Sequence, residues 1–242
     1  GGNVALLPLS NEGKLGKSTS VIQHTGSGPV TSRQQAPHAH CIQYDRKGNF
    51  AFAVDLGIDK VITYQVDEGK QALNKISEFA TAPGAGPRHI AFHPNNRLVF
   101  IINELNSTIT SCTYDSKSGV LKEVVTVSSL PDGFSENNSC ADIHVSPNGK
   151  FLYGSNRGHD SIVVFAIDSQ SGSLSYVSHH SVKGKTPRNF MIDPTGKFLL
   201  VANQNSDNIV VFKIDPETGR LSGNGVEAQF PKPVCLKMVS AE

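Results

Sequence analysis

The chain has 242 residues, 38% of them hydrophobic and 18% charged, with a net charge of +1. It is long enough to bury a full core, and no overall field favours nucleic acid or a membrane surface. Apolar runs stop at five or six residues, far short of a membrane span, and Cys41, Cys112, Cys140 and Cys235 lack the short spacings of a zinc site or a disulfide scaffold, as suits reduced thiols of a cytoplasmic protein.

In chain order, "NVALLPLSNEGKLGKSTSV" (3–21) matches the last two strands of a unit that then recurs four times. The four copies are "YDRKGNFAFAVDLGIDKVITYQVD", "FHPNNRLVFIINELNSTITSCTYD", "VSPNGKFLYGSNRGHDSIVVFAID" and "IDPTGKFLLVANQNSDNIVVFKID". Their anchors Phe50, Leu98, Phe151 and Phe198 are 48, 53 and 47 residues apart. Each copy reads as a short apolar strand, a turn of the D-P-x-G-K type, a second strand ending in a polar pair, a β-branched third strand, and an Asp-x-x-x-Gly-x-Leu turn into a fourth. No stretch has helical periodicity. Four strands at this period predict an all-β fold, a β-propeller of four-stranded antiparallel blades. "KPVCLKMV" (232–239) matches a further first strand, so residues 1–242 are expected to form one propeller domain that is part of a larger ring. The long interval between Leu98 and Phe151 places the longest irregular segment at "LPDGFSENN" (130–138), on the rim that carries Arg88.

The repeat also predicts a site. In a propeller blade the start of the innermost strand and the end of the second lie on one rim. Ten residues before each anchor stand His40, Arg88, Ala141 and Arg188; six after stand Leu56, Glu104, Arg157 and Gln204. His40, Arg88, Arg188, Glu104 and Arg157 should therefore converge on one mouth of the channel. Plainer roles compete: Arg88 and Arg188 follow prolines and could clamp neighbouring blades, Glu104 could be a solvated turn carboxylate, and Arg157 could brace its loop. His40 shares "PHAH" with His38, and no metal pair is expected there. His89, Asp142 and Asn189, one position further along, are expected to turn away by strand alternation and tie blades together. His93 and His144 read as packing or turn residues, and His179-His180 as solvated.

The segments "PHAH", "GPRHIAFHP", "ADIHVSPNGKFLYGSNRG" and "TPRNFMIDPTGKFLLVANQNSDNIVVF" resemble the seven-bladed propeller lactonases, a family that includes propeller-type 6-phosphogluconolactonase and the fungal 3-carboxy-cis,cis-muconate lactonizing enzyme. The resemblance implies seven blades, of which about five are present here and about two are missing from the N-terminal side. It also implies a catalytic set of His40, Arg88, Glu104 and Arg157, with His38, Arg188 and Gln204 as substrate contacts. Opening a lactone needs a base for water and donors for a tetrahedral oxyanion. Arg88 suits the oxyanion or a substrate carboxylate, Arg157 and Arg188 suit a phosphate or carboxylate, and Glu104 or His40 suits the base. The expected function is hydrolysis of a sugar lactone, 6-phosphogluconolactone foremost. The alternatives are a muconate-type lactonizing cycloisomerase and a non-catalytic propeller that binds a protein or metabolite at its rim. The implied partner is a small anionic lactone or sugar phosphate, with no cofactor and no metal, and the sequence leaves the oligomeric state open.

Overall fold

Turn chemistry sets where each repeat reverses. Asp45 Oδ1 accepts from the backbone N–H groups of Asn49 and Phe50, and Asp193 Oδ1 accepts in the same way from Lys197 and Phe198. Ser146 Oγ does this for Phe151. Short side-chain acceptors of this kind close a tight turn just before the anchor residue and start the second strand.

The computed structural model describes residues 1–239. β1 (Asn3–Leu6) and β2 (Ser20–Gln23) form a two-stranded antiparallel sheet. Four four-stranded antiparallel sheets follow, each with its strands adjacent in chain order. They are β3 (Ala39–Tyr44), β4 (Ala51–Asp55), β5 (Lys60–Asp67) and β6 (Ala72–Ala80); β7 (Pro87–Phe92), β8 (Leu98–Asn103), β9 (Thr108–Asp115) and β10 (Val120–Ser128); β11 (Ser139–Val145), β12 (Phe151–Arg157), β13 (Ser161–Ile167) and β14 (Leu174–Ser181); and β15 (Pro187–Ile192), β16 (Phe198–Asn203), β17 (Asn208–Ile214) and β18 (Leu221–Gln229). The helical content among the described residues is one 3-10 turn, Leu56–Ile58. The expected blades are therefore present, each centred on its anchor.

The core lies between blades. β4 and β8 are buried along their whole length because both of their faces meet a neighbouring sheet. Between the first two blades Phe52, Phe92 and Tyr114 pack edge to face with ring centroids 5.1, 5.5 and 5.8 Å apart, a geometry that adds about 1 kcal/mol per pair to the area buried. Hydrogen bonds repeat the same join. The Gly119, Gly172 and Gly219 carbonyls, in the Asp-x-x-x-Gly turns, accept from Thr63 Oγ1, Ser111 Oγ and Tyr153 Oη of the preceding blade. These turns sit against the preceding anchors Phe50, Leu98 and Phe151, so each blade docks on the residue that starts its neighbour's second strand.

A further clasp positions the rim. Asp59, Ser107, Asp160 and Asp207, each between a second and third strand, hold a left-handed φ of 50–55°. Asp59 reaches the backbone N–H groups of Gly84 and Gly86 at 2.7 and 2.8 Å, and Asp160 reaches that of Thr186 at 2.8 Å. These bonds fix the chain just ahead of Arg88 and Arg188.

Two expectations need correction. The longest irregular stretch is 24–38 rather than 130–138, because it is anchored by buried side chains instead of a ladder. His24 pairs with Asp55 at 2.6 Å and with Tyr64 Oη at 3.0 Å. The fully buried Gln34 donates to the Leu56 carbonyl and to Asp59. The second correction concerns 232–239, which forms no strand among the described residues: its backbone N–H groups are met by side chains instead, with the Lys232 N–H on Asp207 and the Leu236 N–H on Asn189.

Candidate active site

Every first strand is bulged where the repeat places its rim residue. Pro87 pairs with Asn103 and His89 with Ile102, so Arg88 has no cross-strand partner. His40 and Arg188 are skipped in the same way, as are Ala141 and Asp142. A bulge bends the strand and re-aims the unpaired side chain, which is why these residues leave the alternation and gather at the mouth. Gly86 supports the bend: it holds a φ of 62°, its carbonyl accepts the Glu104 N–H at 2.7 Å, and a Cβ there would sit 2.5 Å from the Leu105 side chain.

Glu104 is the centre of the cluster. Its Oε2 lies 2.8 Å from Arg88 Nε and 3.0 Å from Arg157 Nη2, while Oε1 accepts from Arg33 Nη2. Burial alone would raise the Glu104 pKa, but Arg157, Arg33 and Arg88 outweigh it and hold the carboxyl below its ordinary value. It is an anion knotted to three guanidiniums, which makes it a poor proton acceptor near neutral pH. Arg88 is almost fully enclosed, and its Nη1 donates to the Ala141 carbonyl. Burial, then the charge of Arg157, lowers its pKa to about 10, so it stays a cation. Arg157 donates from Nη2 to the Cys140 carbonyl at 2.8 Å.

Arg188 differs from these. Its charge lowers the pKa values of His40, Arg88 and Arg157, yet it makes no hydrogen bond or ion pair among the described residues. His40 is driven to a pKa of about 4, first by partial desolvation and then by Arg88 and His89, so its ring is neutral at neutral pH. It shares a cleft of about 300 Å³ with His38, Arg33 and Leu56. Gln204 is half-buried, with its N–H on the Thr186 carbonyl and no side-chain bond among the described residues.

The bulge at Arg88 also overturns the expectation that His89 turns away from the site. The His89 ring centroid is 5.2 Å from that of His40, and its Nε2 is 3.3 Å from Arg88 Nη1. Its Nδ1 meets Asp142 Oδ1 at 2.7 Å. Asp142 also accepts from Asn189 Nδ2 at 2.6 Å and pairs with His144 at 3.2 Å, so it does tie blades together as expected. His89, Asp142 and Asn189 line a second cavity of about 600 Å³ along the inner strands. The segment 130–138 lies on this rim as predicted: Asn138 donates to Ser107 Oγ and accepts from the His159 N–H, and Phe134 packs edge to face on His159 at 4.8 Å. His179 is not simply solvated, since it bonds the Ser129 carbonyl at 2.8 Å.

The family model described as "Lactonase, 7-bladed beta-propeller" matches residues 1–238. The chain belongs to the seven-bladed β-propeller lactonase family. Within it, the chain is 41% identical over 190 residues to the 6-phosphogluconolactonase of Bacillus subtilis (strain 168), a match covering 78% of this chain and 54% of that protein. The 6-phosphogluconolactonase of Formosa agariphila is 39% identical over 195 residues, again 78% of this chain and 54% of that protein. Among solved structures, the periplasmic gluconolactonase of Pseudomonas aeruginosa superposes with a TM-score of 0.92 at 34% identity, covering 98% of this chain and 66% of that one. The chain thus spans about half the length of the curated relatives it matches.

Arg33 is the site residue that repeat counting missed. It lies outside the repeat, in "GPVTSRQQAPHAH", where Gly, Pro and Ser mark only a loop; the buried side chain of Gln34 pins that loop, and Glu104 across the mouth holds its guanidinium. His89 ties blades together as expected, through Asp142, but its approach to Arg88 and His40 lies outside period-2 alternation, which takes no account of a bulge.

Proposed function

We propose that this propeller lactonase hydrolyses a sugar lactone bearing an anionic group, with 6-phosphogluconolactone as the favoured substrate. One observation carries the reading: three guanidiniums, of Arg33, Arg88 and Arg157, converge on a single carboxylate, and a fourth, of Arg188, acts by its charge on Arg88 and Arg157 and has no protein partner among the described residues. Such an excess of fixed positive charge in a partly desolvated mouth is matched by an anionic ligand. Glu104 holds Arg33, Arg88 and Arg157 in place. Arg88, with Nη2 lacking an acceptor among the described residues, faces the oxyanion that forms as water adds to the lactone carbonyl. Arg188 takes the phosphate or carboxylate, with His38 and Gln204 bordering the substrate and His40 at the cleft wall. The relatives named as 6-phosphogluconolactonases support the phosphate-bearing substrate over a neutral sugar lactone.

All four cysteines are free thiols, which fits a reducing, cytoplasmic setting. The test of function is acid release from 6-phosphogluconolactone, corrected for spontaneous hydrolysis, with inorganic phosphate as competitor. Turnover inhibited by phosphate is expected; a folded protein that opens no lactone would leave only a binding role for the rim.

A further inference from the structure

Neither residue that the sequence offers as general base is well suited to the task. Glu104 has both carboxylate oxygens committed to guanidiniums. His40 has no hydrogen-bond partner among the described residues to orient its ring, and its surroundings make it a weak base. His89 has what both lack. Its Nδ1 lies 2.7 Å from the carboxylate of Asp142, which is itself buried and held by Asn189 Nδ2 and by the N–H groups of Ile143 and Phe190. An ionised carboxylate only accepts, so the shared proton sits on Nδ1 and the lone pair on Nε2. That nitrogen faces Arg88, its one contact being a long 3.3 Å approach from Arg88 Nη1, and the His40 ring lies beside the imidazole with centroids 5.2 Å apart. A contact that long holds the Nε2 lone pair only weakly, so a water donor can compete for it. The imidazole side chain is about a quarter exposed and lines the inner cavity, so solvent reaches it.

We propose that the general base of lactone opening is His89, oriented by Asp142 as an Asp–His dyad across two blades. The inference rests on the hydrolase reading above and adds to it the group that handles the proton. His89 Nε2 removes a proton from water as the water oxygen bonds to the lactone carbonyl carbon. Arg88 faces the resulting oxyanion. When the tetrahedral intermediate collapses, the bond from the carbonyl carbon to the ring oxygen breaks, and the proton on Nε2 passes to that oxygen, which leaves as a hydroxyl; the new carboxylic acid gives its own proton to solvent. Asp142 is a positioning residue that fixes the tautomer and the ring plane.

The experiment compares the parent chain with His89→Ala, His89→Gln and His40→Ala on 6-phosphogluconolactone. His89→Gln offers Asp142 an amide N–H in place of the imidazole, so it preserves the tie between blades without a base. Both His89 variants are expected to lose about 10²–10⁴ in kcat with KM little changed. Added imidazole is expected to restore part of the rate of His89→Ala, where it fits the space left, and none of that of His89→Gln. A purely structural His89 would instead lower the melting temperature, leave the kcat of the folded protein intact and show no rescue, which overturns the proposal. Loss and imidazole rescue in His40→Ala, with an active His89→Ala, assigns the base to His40 and overturns it equally. A parent that opens no lactone removes the hydrolase reading first, and the dyad with it.

Discussion

Glu104 and Arg88 meet with Oε2 2.8 Å from Nε, both side chains nearly closed to solvent. Arg88 Nε nonetheless lacks an aligned acceptor, so the contact is an ion pair more than a directed hydrogen bond. Its strength comes from burial and from the company of Arg157 and Arg33. Glu104→Gln leaves these cations without their common counter-charge. Removing one partner of a buried pair costs about 3–5 kcal/mol. In a chain of this size that lowers Tm by about 10 °C. With His89 as the proposed base, the folded fraction should keep the rising limb of its pH–rate profile. Calorimetry and a pH–rate series on the same preparation check both halves.

Arg88→Ala removes the donor proposed for the oxyanion, and kcat should then fall by about 10²–10³. Arg88→Lys should recover little, because an ammonium cannot hold Glu104, the Ala141 carbonyl and substrate at once as the planar fork does. Steady-state kinetics on the two variants give the answer; full activity in the lysine variant would reduce Arg88 to a mere positive charge.

Arg188→Ala makes the opposite prediction. A half-buried guanidinium with no protein partner among the described residues contributes little to the fold, so stability should stay within about 0.5 kcal/mol. A contact with a distal phosphate, as proposed for it, would be alike in ground and transition states, so the loss should appear as a raised KM at nearly constant kcat. Inhibition by inorganic phosphate should weaken in parallel.

The blades were legible in the sequence because turn residues recur at fixed distances from each anchor, and hydrogen-bonding turns are local chemistry. Arg88, Glu104 and Arg157 followed from the same count. Arg33 did not, since it is placed by Gln34 and Glu104, contacts that span the loop and the adjoining blades and leave no periodic trace. The approach of His89 to Arg88 was hidden for another reason: a bulge adds one residue to one strand, and only the pairing of Pro87 with Asn103 and of His89 with Ile102 reveals it. Residues 232–239 resemble a first strand, but a strand forms only against a partner.

Asn96 offers a test of the turn chemistry. It occupies, with a φ of 55°, the position taken in the other blades by Gly48, Gly149 and Gly196 at 72°, 74° and 72°. Its Oδ1 and Nδ2 are buried without a partner. Asn96→Gly removes the left-handed strain and two unsatisfied groups that cost about 1–3 kcal/mol each, against about 0.4–1 kcal/mol of added freedom in the unfolded chain. A net gain of at least about 1 kcal/mol is expected, seen as a higher urea midpoint at unchanged slope.

Asp142 links the blades to pH. Burial by itself would raise its pKa, but His144, then His89, and the hydrogen bonds to its carboxylate prevail, and the pKa lies well below the ordinary aspartate range. A carboxyl whose folded pKa is depressed contributes stability that is fully present above the unfolded pKa of about 3.9 and is lost as the pH falls toward the folded value. The parent should therefore lose stability steeply on acidification below about pH 4, by the linkage of that one group added to the others. Asp142→Asn should be less stable at pH 7, where a neutral amide replaces a charged acceptor of three backbone and side-chain N–H groups, and its stability should fall less between pH 5 and pH 3. Urea titrations of the two proteins across that interval measure the difference in slope. Parallel curves would show that the Asp142 carboxylate carries no share of the acid sensitivity, and that the three blades meeting at it are held by packing alone.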